Sequence, residues 1–268
     1  MKAMRKLNDI FNEFHQFNLW DASALLCYRG SIAHGTYIPN QNPHSVDDQD
    51  VIGVAIPTAE YCYGLRGFEQ FEMQRDGWDV LVYDFRKFIR LLIKSNPNVL
   101  QVLWTKDEHF LKKTWQGELL LQKRGLFVNR AIYNSFCGYG YGQLHKMENM
   151  AYNGYMGEKR KALVKEFGYD CKNAQHLIRL LRQGIEFLKT GELVVERPDR
   201  AELIEIKTGK WSIEKVKRVA NDLFREMENA FKNSPLPENP DFEAVNELVV
   251  EILQKTYSGI PVKGVAKA

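Results

Sequence analysis

The sequence predicts an α+β fold, in which an α/β front part with a short mixed sheet precedes an all-helical back part. Three apolar or alternating runs between residues 24 and 85 have the length and composition of strands. From Phe127 onward the apolar residues recur with the 3.6-residue period of helices, and strand signals almost vanish. This change of pattern predicts two domains, residues 1–110 and residues 111–268.

In the front part, residues 4–18 carry apolar side chains at helical spacing and predict an amphipathic helix. The strands are expected at residues 24–28, 51–56 and 78–85. The first stops at Gly30-Ser31, and the second stops at a proline. A helical stretch then follows, interrupted by a proline that suits the start of a second helix.

In the back part, Asp170 is placed to begin a helix that continues past residue 185. Residues 212–231 carry one apolar stripe and predict another helix. A proline-rich break follows, and Asp241 is placed to cap a last helix that runs to about Tyr257.

Composition excludes several classes of protein. The chain has 268 residues with 44% hydrophobic content, enough for a proper core, and its net charge of +3 does not by itself indicate nucleic-acid binding. Apolar runs are too short for a membrane span, and no signal-peptide core follows the amino terminus. The four cysteines are far apart, which favours reduced thiols and a cytoplasmic protein that does not engage a membrane.

Two carboxylates mark the start of the second strand. Asp48 and Asp50 are two residues apart, so their side chains leave the same face about 7 Å apart. Oxygen ligands at this spacing suit Mg²⁺, and two such ions can support phosphoryl transfer. Asp79 or Asp84 on a neighbouring strand is a candidate third carboxylate. Solvated loop acids or a helix cap are the alternative interpretation of this Asp-x-Asp pair.

Gly30 and Ser31 directly follow the first strand. A glycine and a serine at that place let backbone N–H groups approach an anion at the start of a helix. A Gly-Ser pair alone usually indicates only a turn. The order of strand, Gly-Ser, Asp-x-Asp strand and a further acid-bearing strand is what favours a phosphate-handling site.

Four motifs carry a family resemblance. They are "GSIAHG" (30–35), "DDQDVIGV" (47–54), "FRKFIRLLIKSNPNVLQ" (85–101) and "GYDCKNAQHLIRL" (168–180). The chain resembles the DNA-polymerase-β-type nucleotidyltransferase superfamily, and within it a branch of predicted nucleotidyltransferases, some encoded beside RNA ligases. The resemblance extends over roughly residues 22–255.

The sequence departs from the branch in three places. The connection between Gly-Ser and Asp-x-Asp is longer, with "NQNPH" (40–44) as an apparent insertion. Ser45 is displaced from its usual position directly before the first aspartate of the pair. Gln101 stands where the branch has glutamate. The first two departures leave the metal-binding carboxylates intact, and the third affects only the function of that glutamate.

The resemblance implies a set of catalytic carboxylates. Asp48, Asp50 and Asp79 would be both the catalytic residues and the ligands of two Mg²⁺ ions, with Mn²⁺ as a possible substitute. It favours Asp79 over Asp84 as the third carboxylate, because the branch usually has an aspartate at this distance before its Arg-Lys-Phe motif. Asp84 directly precedes a helix and is suited to cap it.

The resemblance also implies a nucleotide-binding set: Gly30, Ser31, His34, Lys172, His176 and Arg179. The last three recur at i, i+4 and i+7 of a helix and so share one stripe. Such a stripe suits the phosphates of a nucleotide or of an acceptor. A solvated helix face is the alternative interpretation.

The function that the resemblance implies is metal-dependent transfer of a nucleoside monophosphate from an NTP, with ATP favoured, to a hydroxyl acceptor. Residues 1–110 would form the catalytic core, and residues 111–268 would complete nucleotide and acceptor binding. The expected acceptor is RNA, as tRNA or in RNA repair, with release of pyrophosphate. The alternatives are AMP transfer to a protein, as by antitoxin-type nucleotidyltransferases, a non-catalytic nucleotide- or RNA-binding protein, and a metal-dependent phosphohydrolase.

Overall fold

A computed structural model describes residues 2–39, 42–45, 47–148 and 157–258 of the chain. Three residues of the connection that precedes Asp47 and Asp48 lie outside this range, namely Asn40, Gln41 and Val46. The predicted insertion at residues 40–44 therefore falls in part outside the described residues.

The sheet is short and mixed, as predicted. Its strands have the order β3-β4-β2-β1-β5. The pair β2–β4 is parallel, and the three other pairs are antiparallel. The strand bounds are β1 Ser23–Tyr28, β2 Gln49–Ala55, β3 Gln70–Arg75, β4 Trp78–Asp84 and β5 Phe110–Lys113.

Helices surround this sheet, and in the described chain after β5 all regular secondary structure is helical. Three short 3-10 turns lie at residues 101–104, 107–109 and 124–127. The α-helices are α1 Lys2–Asn12, α2 Leu19–Ala22, α3 Gly30–Ala33, α4 Ala59–Cys62, α5 Phe85–Ile93, α6 Pro97–Leu100, α7 Trp115–Gln122, α8 Ile132–Glu148, α9 Glu158–Phe167, α10 Cys171–Thr190, α11 Arg200–Lys207, α12 Ile213–Lys232 and α13 Phe242–Tyr257.

Sequence analysis did not predict two of the strands, β3 and β5. β3 is an edge strand with four of its six residues exposed, so its sequence lacks the apolar alternation of a half-buried strand. β5 has only four residues. It pairs with β1 from beyond the predicted domain boundary at residue 110, which itself remains a prediction.

The first helix ends earlier than predicted. The expected range was residues 4–18, whereas α1 ends at Asn12. Phe14 and Phe17 continue the helical spacing in sequence but lie beyond the helix end. Both pack edge-on against Phe68, with ring centroids 5.5 and 5.1 Å apart. These tertiary contacts bury the two rings without a helix, which is why spacing alone gave the wrong boundary.

The starts of the later helices confirm the sequence prediction. The side chains of Asp170, Ser212 and Asp241 each accept a hydrogen bond from the backbone N–H three residues on. Pro97 occupies the first turn of α6. These caps fix where α10, α12 and α13 begin.

The two faces of the sheet bury different cores. One face packs against α1 through Leu7, Ile10 and Phe11. The other face belongs to a larger core, shared with α5, α8, α10 and α12, that includes Ile52 and Val54 of β2. Since side chains alternate along a strand, Asp50 lies on the same face as Ile52 and Val54. The acidic end of β2 is thus on the side of the helical region.

All four cysteines are free, and three of them are buried, as the sequence indicated. Among the helices of the described ranges, none is both long enough and apolar enough to cross a membrane.

Candidate active site

The turn after β1 lies directly against a carboxylate of β2. The Arg29 N–H donates to the Asp50 carbonyl oxygen at 2.9 Å. Gly30 has a φ of +62°, and a Cβ atom built on it would lie 2.3 Å from Asp50 Oδ2. A side chain at position 30 would therefore both strain the backbone and collide with the carboxylate. This requirement explains why glycine stands at this position.

The ladder between β2 and β4 brings two acids side by side. Asp50 is the direct partner of Asp79 in the parallel register, so both side chains leave the same face of the sheet. Asp48 lies one residue before the first residue of β2, and Gln74 Nε2 is 3.5 Å from its Oδ2. The three carboxylates named in sequence analysis therefore lie at the same end of the sheet.

Asp84 is at the other end of β4, where it pairs with Ala55. Its side chain caps α5 by accepting the N–H of Lys87 at 3.1 Å. Asp84 is five residue steps along the strand from Asp79, a distance of about 16 Å. The structure thus places Asp79, and not Asp84, beside Asp50.

The environment of Asp50 opposes its charge. Burial raises the pKa of this carboxyl to about 6; the cations Arg29 and Lys172 act in the opposite direction, and Asp79 and Asp48 add to the rise. Neighbouring carboxylates repel one another when nothing neutralises them. A cation bound between them would remove this repulsion.

Arg29 partly neutralises these acids. Its Nη2 lies 3.1 Å from Asp79 Oδ1, and the two side chains are 17% and 29% exposed. Within the described ranges, no three His, Cys, Asp or Glu side chains are grouped closely enough to hold a metal ion. The donor chemistry of Asp48, Asp50 and Asp79 fits Mg²⁺. A metal site at these three residues would require Asp79 to exchange its Arg29 partner for the ion.

Asp47, which directly precedes Asp48 in the sequence, is buried and has a structural role. Its Oδ2 accepts hydrogen bonds from the Ile38 N–H, at 2.9 Å, and from Lys207 Nζ, and its Oδ1 is 3.8 Å from Lys172 Nζ. Lys207 Nζ also donates to the Thr36 carbonyl oxygen at 3.0 Å. This buried ion pair fastens the connection before β2 to α11 in the helical region.

His34 lies at the base of the Gly-Ser turn and is 2% exposed. Its Nδ1 is 3.1 Å from the Val195 carbonyl oxygen, so Nδ1 carries the hydrogen. Burial, together with the charge of Arg179, holds the pKa of His34 well below its usual value. The histidine is therefore neutral and offers Nε2 as an acceptor.

His176 and Arg179 project from α10 toward the same region. Arg179 Nη2 is 3.2 Å from His176 Nδ1, so the imidazole accepts there. The pKa of His176 is held well below its usual value by burial, and then by the charges of Arg179, Lys172 and His34. The stripe predicted from α10 therefore meets the histidine of the Gly-Ser turn, and it is not a solvated face.

Arg179 is a buried cation without a carboxylate. It is 6% exposed, and no acidic side chain lies within 4 Å of its guanidinium in the described part of the chain. Its Nη1 donates to Gln183 Oε1 at 2.6 Å, while its Nε has no hydrogen-bond partner there. Burial and the nearby Arg197 lower its pKa to about 9, while the charge of Asp199 acts in the opposite direction. A buried positive charge of this kind calls for an anion.

Three further donors in this part of the structure are unsatisfied. They are buried and have no hydrogen-bond partner among the described residues: Arg29 Nε, Ser31 Oγ and Gln175 Nε2. Buried polar atoms are seldom left unpaired, and unpaired ones often indicate a ligand. Ser31 was a predicted site residue, whereas Gln175 was not.

Sequence analysis missed four residues of the site: Arg29, Asp47 as an ion-pair partner, Gln175 and Lys207. Arg29 directly precedes the Gly-Ser turn, and this position is the one feature of the sequence that could have identified it as a site residue. Lys207 is 160 residues from Asp47, and nothing in the local pattern links the two.

The fold and the site define a class. A glycine-serine turn packed against paired aspartates at one end of a short mixed sheet is the arrangement of polymerase-β-like nucleotidyltransferases. A model of the RNA repair pathway DNA polymerase beta family matches residues 2–251. The chain belongs to this family, which confirms the resemblance drawn from its motifs.

Other comparisons add little. Among curated proteins, nothing matches the chain. A solved nucleotidyltransferase-like protein from Exiguobacterium sibiricum 255-15 is similar to it at 10% identity, with 95% of this chain and 79% of that chain covered. The TM-score is 0.29, too low to support an argument about function.

Proposed function

We propose that the protein transfers a nucleoside monophosphate from an NTP, with ATP favoured, to a hydroxyl of an RNA acceptor and releases pyrophosphate. The observation that carries this proposal is the contact between the Gly30 turn and the carboxylate of Asp50, whose ladder partner is Asp79. A phosphate held by the turn would lie directly beside the carboxylates. The family's description as part of an RNA repair pathway supports RNA as the acceptor.

The chain's own residues divide the work between two regions. The backbone at Gly30 and the unpaired Ser31 hydroxyl would hold phosphate oxygens at the turn. Lys172, Arg179 and the Nε2–H of His176 would form the wall that receives the rest of the triphosphate. Neutral His34, whose Nδ1 donates to the Val195 carbonyl oxygen and whose Nε2 can only accept, would support the turn instead of binding a phosphate oxygen. Asp48, Asp50 and Asp79 would hold Mg²⁺, with Mn²⁺ as a substitute. When bound, the metal supplies charge neutralisation on the phosphates and acidifies the acceptor hydroxyl.

The reaction that follows is an in-line displacement. The acceptor oxygen forms a bond to the α-phosphorus, and the bond from that phosphorus to the bridging oxygen of the pyrophosphate breaks. The proton of the acceptor hydroxyl is released to solvent. The roles of this chain's residues are to orient both oxygens and to compensate the charge on the leaving group.

The test is to incubate the protein with Mg²⁺ and each α-labelled NTP, with tRNA present or absent. An Asp48→Asn/Asp50→Asn variant is the inactive comparison. Glu243→Gln/Glu247→Gln, two exposed acids of α13, removes the same charge elsewhere. Label is expected on RNA with the wild type and the α13 variant, and not with the aspartate variant.

The other outcomes separate the rival functions. Label on protein would indicate AMP transfer to a protein acceptor, and free labelled monophosphate would indicate a phosphohydrolase. Nucleotide binding without any reaction would indicate a binding protein. Each of these results would contradict the proposed transfer to RNA.

Arg29 is expected to compete with the metal. Replacing it by Gln removes the cation that holds Asp79, so Mn²⁺ affinity in the absence of nucleotide should rise by roughly fivefold, about 1 kcal/mol. Free Mn²⁺, measured by electron paramagnetic resonance, gives the affinity directly. Arg66→Gln, which breaks an exposed ion pair with Glu60, is the control. Unchanged or weaker Mn²⁺ binding by Arg29→Gln would show that the ion pair does not block the site.

A further inference from the structure

Helix α5 lines an open pocket that the proposed reaction does not use. The pocket has a volume of about 370 Å³, which is within the range of ligand-binding pockets. Its lining combines three cations, two acids and one aromatic ring: Phe68, Glu69, Asp84, Arg86, Lys87 and Arg90. The cations belong to the "FRKF" stretch and the turn that follows it.

Packing fixes which way these cations point. The other face of α5 is buried through Phe85, Phe88, Ile89 and Leu92. Arg86 and Arg90 are four residues apart, so they are neighbours on the remaining face. Two like charges at this spacing destabilise a helix by a few tenths of a kcal/mol. An anion bound between them would offset that repulsion.

The two acids of the pocket are already engaged. Asp84 accepts the backbone N–H of Lys87 as the cap of α5, and Glu69 pairs with Lys87 Nζ at 2.9 Å. Neither Arg86 nor Arg90 makes an ion pair with any residue in the described ranges. The pocket therefore presents two guanidinium groups that form no direct ion pair within the described ranges. The charges of Asp84 and Glu69 act on them at longer range, and three cations against two acids leave the pocket with a net charge of +1.

The pocket is remote from the carboxylates of the candidate active site. Asp84 and Asp79 are at opposite ends of β4, about 16 Å apart. A triphosphate held at the Gly30 turn beside Asp50 would not extend that far. A ligand that engages both places must be a long polyanion with regularly spaced phosphates.

We propose that the α5 pocket binds the phosphodiester backbone of the RNA acceptor, several nucleotides away from the hydroxyl that reacts. This inference rests on the proposed function, because it assumes an RNA acceptor. Guanidinium groups bind phosphate oxygens in pairs of parallel hydrogen bonds, which favours arginine at a backbone contact. Phe68 provides an apolar wall against which a ribose or a base can pack.

The test measures RNA binding without catalysis. Fluorescence anisotropy with a labelled single strand of about 20 nucleotides gives the dissociation constant over a series of salt concentrations. The variant is Arg86→Gln/Arg90→Gln. Arg218→Gln/Arg225→Gln removes two exposed arginines of α12 as the matched control. A dinucleotide, too short to span the distance from the active site to α5, serves as a second probe.

The α5 variant is expected to bind the long strand about tenfold more weakly and to reduce the salt slope by about 1.4, or about 0.7 for each phosphate that an arginine no longer neutralises. Binding of the dinucleotide and the α12 control should match the wild type. Equal reductions of affinity in the α5 and α12 variants, or an unchanged salt slope, would overturn the pocket as an RNA site.

Failure of this inference can be told from failure of the proposed function. If the wild type labels RNA and the α5 variant keeps full affinity for the long strand, only the pocket assignment is wrong. If the wild type binds nucleotide but neither labels nor binds RNA, the RNA acceptor is wrong and the pocket assignment falls with it. Tight binding of inorganic pyrophosphate at α5, with RNA affinity unchanged, would assign the pocket to a small anion instead.

Discussion

An Asp79→Ala variant is expected to lose nucleotidyl transfer by roughly a thousandfold or more, about 4 kcal/mol of activation free energy. Asp84→Ala should transfer at a rate within a few-fold of the wild type. Asp79 lies beside Asp50 in the parallel ladder, whereas Asp84 is at the far end of the same strand and caps α5. Loss of that cap should lower the free energy of unfolding by about 1 kcal/mol.

The two variants need two measurements, the initial rate of label transfer and the midpoint of thermal unfolding. Asp79→Ala should lose activity with little change in stability, and Asp84→Ala should lose stability with little change in activity. The reverse pattern would assign the third carboxylate to Asp84. Full activity in both variants would mean that Asp48 and Asp50 suffice without a third acid.

The pairing of Asp50 with Asp79 shows how much of the candidate site can be predicted from the sequence. The apolar runs of β1, β2 and β4 identify these three strands, and alternation assigns each aspartate to a face. The sequence does not give the parallel register that makes Asp79 the direct neighbour of Asp50, because register depends on how β3 turns the chain back. β3 itself is an exposed, polar edge strand and carries no clear signal.

Ion pairs between residues far apart in the sequence cannot be predicted from local sequence patterns. Asp47 looks like a third member of an acidic metal cluster, since it adjoins Asp48 in sequence. The fold turns it inward to Lys207, and the resulting ion pair is 2% exposed at the lysine side chain and 1% at the aspartate. Arg179 illustrates the opposite case. Its helical stripe is visible in the sequence, but the absence of a direct ion-pair partner, within the described ranges, depends on every element packed around α10.

Because Arg179 lacks an ion-pair partner in the described chain, its replacement is expected to have a large effect on ATP binding. Replacing Arg179 by Met should weaken ATP binding about 10- to 100-fold, since a charged hydrogen bond to phosphate contributes about 1.5–3 kcal/mol. The same change should leave thermal stability unchanged or raise it. Methionine fills a similar volume and removes a buried charge that makes no direct ion pair in the described chain and that only the more distant Asp199 partly offsets. Titration of ATP by calorimetry and a thermal melt without nucleotide measure the two effects.

Arg182, one turn further along α10, is the matched control. Its guanidinium already pairs with Asp199 and Glu202, and its side chain is 20% exposed. Arg182→Met should therefore do the reverse, with a loss of about 2 kcal/mol in stability and unchanged ATP affinity. If Arg179→Met also lost stability and kept its ATP affinity, Arg179 would be a structural residue. Other residues would then have to bind the triphosphate, because the buried charge of Arg179 would be compensated within the fold.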